Sequence, residues 1–92
     1  MGKTYDLVNY LLFLEDKGFK FQDDVIAFVY FGKNLTNCPD NLVIVAIELT
    51  LKTQMKFDGS FYISLLELMR EKGIQTKKQA YEYVEKIGIS VK

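Results

Sequence analysis

Eight of the twelve acidic side chains of this sequence fall in close pairs: Glu15-Asp16, Asp23-Asp24, Glu67 with Glu71, and Glu82 with Glu85. Paired carboxylates are common raw material for acid–base chemistry, which needs two ionisable groups whose environments drive their pKa values apart inside a cleft. Each pair here instead falls on the polar face or at the end of an expected helix, where solvation and the helix dipole account for it. Histidine is absent, so the Glu-x-x-His pattern of helical di-iron sites cannot be assembled. Ser60 and Ser64 likewise have no imidazole to activate them. Cys38 is the single cysteine; with no disulfide partner and no histidine beside it to raise its thiolate fraction, it reads as a small buried or half-buried filler, its exposure left open. The six glycines are scattered, and neither dinucleotide-binding nor P-loop spacing occurs. The sequence therefore predicts no enzyme activity, no metal, no cofactor and no small-molecule ligand.

The elements that would position any site must come from one small domain spanning residues 1–92, because a 92-residue chain does not readily build two cores. A hydrophobic content of 49% and a single proline exclude a disordered or collagen-like chain. The apolar run Leu11–Leu14 is too short for a signal-peptide core or a membrane span, which predicts a soluble, cytoplasmic protein. Asp6 stands where a myristoylation signal needs Ser or Thr. Asn34-Leu35-Thr36 spells a glycosylation acceptor that has no export signal to serve it.

Helical punctuation dominates the chain. Apolar residues Tyr5, Val8, Leu11, Leu12 and Leu14 recur at helical spacing behind Thr4, predicting a first helix over about residues 4–17 with Thr4 as its N-cap. Lys17-Gly18-Phe19, Lys72-Gly73-Ile74 and Ile87-Gly88-Ile89 each read as a glycine stop followed by an apolar residue that folds back. A second helix is expected from Gln22 to Phe31, ended by Gly32, with Asp23 and Asp24 in its first turn. Residues 33–41 read as a loop leading to Pro39 as the first helical position of the next element. The segments Leu11–Val29 and Leu66–Val84 share a helix, glycine stop, helix order, which any two helical hairpins would share.

The stretch Leu42–Phe57 fits two periods. Ile47, Leu49, Leu51, Thr53, Met55 and Phe57 alternate with polar residues, as in a half-buried strand. Yet Ile44, Ile47, Leu51 and Met55 also form a helical stripe, and Glu48 precedes Lys52 by the four residues that favour an ion pair. Its length and proline-led start favour the helix, since strands usually run about five or six residues. A strand here would pair residues 25–31 with 43–49 as a central hairpin and make the fold α+β. Asp58-Gly59-Ser60 supplies caps for a helix to about Lys72. Thr76 and Gln79 form a capping box for a last helix to Ile87. The expected fold is all-α, about five short helices.

Function must then come from surfaces. Lys and Arg number 12 and so do Asp and Glu, for a net charge of zero, so no long-range field draws in nucleic acid or anionic lipid. The glycine turn between the last two helices resembles a helix-turn-helix, but Gln79 and Glu82 occupy positions where the recognition helix should be apolar. A small nucleic-acid-binding regulator using Lys77 and Lys78 is the alternative reading. The leading one rests on seven phenylalanines and six tyrosines, too many for a domain that buries only about 60% of its unfolded surface. Exposed aromatics favour interfaces. The expected partner is another protein or a second copy of the chain, met by Phe19, Phe21, Tyr30 and Phe31, with Tyr81 and Tyr83 as a second patch.

The segments Lys17-Gly18-Phe19, Tyr30-Phe31-Gly32, Ala46-Ile47-Glu48-Leu49-Thr50-Leu51-Lys52 and Phe57-Asp58-Gly59-Ser60-Phe61-Tyr62 together resemble a family of small uncharacterised cytoplasmic proteins of Bacillus-type bacteria. That resemblance implies a soluble bacterial protein and brings no activity with it.

Overall fold

The computed structural model describes residues 6–88, which form five helices and no strand: α1 (Leu7–Asp16), α2 (Asp23–Thr36), α3 (Asp40–Gln54), α4 (Gly59–Glu71) and α5 (Lys77–Lys86). The all-α reading holds, and the central hairpin is not formed. Helix α3 is the axis of the fold and touches each of the other four helices, while α2 also crosses α4. The radius of gyration is 12.5 Å, close to the roughly 13 Å of a compact hundred-residue domain.

The two-fold alternation in α3 has a simple origin. Leu42, Val43, Val45, Ala46, Ile47, Leu49 and Thr50 are all buried, so the first part of the helix is enclosed on nearly every side and carries no clear apolar stripe. Thr50, polar in the alternation, lies in the core and donates its hydroxyl to the Ala46 carbonyl at 2.7 Å. The helix stops at Gln54, with Met55 in the left-handed region at φ 64°.

Helix α2 runs through Gly32 and on to Thr36, so the expected stop and most of the expected loop are helical; Asn37 closes it at φ 56°. Tertiary packing explains the difference. A Cβ on Gly32 would come within 2.7 Å of the Tyr62 ring and 2.8 Å of Ile63 on α4. The glycine is therefore a point of close helix crossing rather than a terminator. Thr36 returns its hydroxyl to the Gly32 carbonyl at 2.8 Å. Lys33 reaches Asp40 at 3.2 Å. Cys38 is buried, with its sulfur 3.7 Å from the Leu66 carbonyl, and Pro39 is the N-cap of α3 rather than its first residue.

Thr4 lies outside the described residues, and α1 begins at Leu7 behind Asp6, whose carboxylate accepts the Asn9 N–H at 2.9 Å. A second carboxylate completes that end: Asp40 accepts the Leu7 N–H at 3.1 Å from the first turn of α3. The stops at Gly18 and Gly73 close as expected, both glycines having positive φ. The Phe19 N–H donates to the Leu14 carbonyl at 2.9 Å, and the Ile74 N–H to the Met69 carbonyl at 2.9 Å. Gly88 also has positive φ, while Ile89 lies outside the described residues. Asp58 caps α4 through the Phe61 N–H, and Thr76 caps α5 through the Gln79 N–H. The reciprocal bond of the capping box shifts by one residue, since Gln79 accepts from the Gln75 N–H at 2.8 Å rather than from Thr76.

Candidate functional site

The Gly18 turn directs the chain back across α1 and sets Phe19 beside it. Between α1 and α2 this leaves a groove lined by Val8, Leu11, Leu12, Glu15, Phe19, Phe21, Ile26 and Tyr30. Val8 is 56% exposed, Leu12 55% and Phe19 42%, an apolar strip interrupted by one carboxylate. Its volume, about 220 Å³, is below the roughly 300–1,000 Å³ of small-molecule sites. A strip of this kind offers contact area for another apolar surface.

Three of the expected contact residues, Phe19, Phe21 and Tyr30, converge on this groove. Phe21 is half-buried, because its ring also meets Phe57 at 5.8 Å. Phe57 in turn packs on Phe28 and Tyr62, so part of the aromatic surplus is absorbed internally. Phe31 does not line the groove; it is exposed, with its ring 5.9 Å from Phe28. Val8 and Leu12, part of the apolar spacing that predicts the first helix, face outward. Their i, i+4 relation was visible in the sequence, but periodicity cannot tell which of two apolar sides of a helix is covered.

Tyr81 and Tyr83 do not form one patch. Tyr83 borders a shallow cleft with Lys72, Ile74, Gln79 and Glu82, while Tyr81 turns toward α3 and donates its hydroxyl to Glu48 at 2.9 Å. The same Glu48 oxygen holds the Lys77 ammonium at 3.2 Å. Its ion-pair partner is thus on α5 and not the expected Lys52, whose ammonium lies 5.4 Å from the centre of the Tyr81 ring. Burial, then the Glu48 charge, pushes the Tyr10 phenol up to about 12. Burial, then the hydrogen bond to Glu48 and its charge, also raises Tyr81. Both phenols stay protonated at neutral pH, and that of Tyr81 donates to Glu48. Sequence reading missed Glu48 as a centre because its partners, Lys77 and Tyr81, stand far along the chain, Tyr81 33 residues away.

The eight acidic residues of the close pairs are all exposed. Among the described residues no three His, Cys, Asp or Glu side chains gather as metal ligands would, and no helix is long and apolar enough to cross a membrane. Of the two lysines on which a nucleic-acid reading depends, Lys77 is engaged by Glu48 and Lys78 is exposed.

Fold and surface together define a small all-α domain, organised around one enclosed helix, with an apolar groove along one side. The chain belongs to a family of unknown function, DUF6123, which matches residues 2–90. No curated protein and no solved structure is found to be similar to it.

Proposed function

We propose that the chain is a small non-enzymatic interaction module of the cytoplasm that packs its α1–α2 groove against a second copy of itself. The observation that carries this reading is the open strip of Val8, Leu12 and Phe19, two of them more than half exposed. Two further features support a second copy as the occupant. The net charge is zero, so no repulsion between identical chains opposes association. The stretch bordering the groove carries both signs, with Glu15 and Asp16 beside Lys17 and Lys20. Mixed charge suits a face that must be complementary to itself under two-fold symmetry.

Light scattering after size exclusion, over about a hundredfold range of concentration, tests the reading by mass action. The wild-type chain is expected to be a dimer that dissociates on dilution. Leu12→Glu should raise the dissociation midpoint by at least about tenfold, since it places a charge in an apolar contact, and should leave the far-UV circular dichroism unchanged because Leu12 is outside the core. A monomer at the highest concentration overturns self-association. A dimer indifferent to Leu12→Glu overturns the groove as its site.

A further inference from the structure

Helix α5 shares its length of ten residues and its two buried side chains with α1, but its first turn is basic and is answered by an anion from another helix. It has ten residues, fewer than the roughly 12–15 that an isolated helix needs to persist in water. Its first turn carries Lys77 and Lys78 and no acid, the reverse of what the helix dipole favours. Only Ala80 and Val84 are buried, whereas seven residues of α3 are. The fixed point before it is firm: Ile74 is buried in the core, and the Asn41 side chain of α3 donates to the Gln75 carbonyl at 3.1 Å. Beyond Gln75, the Glu48 carboxylate takes over. It binds the Tyr81 hydroxyl and the Lys77 ammonium together, and so supplies, from α3, the anion missing from the start of α5. Lys52 of α3 and Lys77 of α5 lie 5.4 and 5.7 Å from the centre of the Tyr81 ring, and Tyr10 of α1 lies near enough to feel the Glu48 charge.

We propose that α5 is a releasable strap over α3, hinged at Gln75–Thr76 and latched by the Glu48 carboxylate through Tyr81 and Lys77. With two residues fully buried, Tyr81 and Tyr83 only partly so, and one carboxylate as its main polar tie, α5 undocks while the α2–α3–α4 core stays folded, as a local opening of low free energy. Undocking uncovers the side of α3 that α5 occupies. The latch uses none of the residues that line the α1–α2 groove, and the device stands whether or not that groove pairs two copies.

Amide hydrogen exchange of the full chain, read residue by residue, tests it. In the wild type, the amides from Ala80 to Lys86 are expected to exchange together, by one opening faster than that of the α3 and α4 amides. Glu48→Gln should speed that opening about tenfold or more, the loss expected for a hydrogen bond to a charged acceptor, and leave α2 and α4 unchanged. Tyr81→Phe keeps the ring, removes only the donor, and should accelerate the same amides several-fold; it carries the test if Glu48→Gln does not fold. The proposal is overturned if α5 is as protected as α3 in the wild type. It is also overturned if either variant speeds all helices alike, or if protection in α5 merely fades from Lys86 backward and ignores both substitutions.

Discussion

Gly32 shows how much one hydrogen atom can decide. Its missing side chain lets α2 lie against the Tyr62 ring, whose hydroxyl donates to the Val29 carbonyl one turn earlier at 2.7 Å. Gly32→Ala raises intrinsic helix propensity by about 1 kcal/mol, but forces a methyl group into a buried ring that has no free side to move toward. Overpacking of this kind costs about 1–3 kcal/mol. The net expectation is a loss of about 1 kcal/mol or more, read as a lower urea midpoint at unchanged slope. From sequence, Gly32 behind Tyr30-Phe31 is indistinguishable from a helix stop, because both roles require the absence of a Cβ. Gly18 and Gly73 differ in being followed by an apolar residue, and there the local signal and the structure agree. Cys38 could be placed from sequence only as buried or half-buried; packing between α2, α3 and α4 decides that it is buried.

Among the elements, α1 depends on a residue that belongs to another helix. Asp6 satisfies one orphan donor of its first turn and Asp40 of α3 satisfies another, while also holding Lys33 of α2. Asp40→Ala should therefore cost about 1–2 kcal/mol in global stability, the range of a lost helix cap or charged hydrogen bond. It should also speed amide exchange in α1 more than elsewhere. Asp40→Asn keeps an acceptor for Leu7 and should recover most of the protection of α1 without the Lys33 pair. Helix α3 teaches the complementary lesson. Its start at Pro39 and its length were readable, but its period was not, since a helix enclosed by four others does not need to segregate apolar from polar residues on two faces. Thr50 resolves the conflict by bonding within its own helix, which lets a hydroxyl occupy the core.

At the level of the whole molecule, aromatic residues divide between interior and surface. Tyr10, Tyr62 and Tyr81 all have phenols raised by burial. A group whose folded pKa exceeds its unfolded value contributes stability below the unfolded pKa and loses it as pH rises. Stability should thus be steady up to about pH 10, the range of a free tyrosine, and fall from there toward pH 12 as the unfolded chain gives up protons that the folded one keeps. Urea midpoints at pH 9 and pH 11 check this, together with tyrosinate absorbance that lags the titration of the unfolded chain. A native protein whose six tyrosines all ionise near pH 10 would contradict it.

The sequence by itself determined the class of fold and most of its punctuation. Glycine stops, the Asp58 and Thr76 caps and the exposure of the paired acids are effects of backbone and solvent within a few residues, and the chain carries that information locally. Phe19, Phe21 and Tyr30 line one groove because a single turn joins the helices around them. Tertiary structure alone decided that α2 passes through Gly32, that Val8 and Leu12 are left uncovered, and that Glu48 joins α5 rather than Lys52. Each of these depends on which helix lies across a given face, an outcome of packing between segments tens of residues apart that no local pattern encodes.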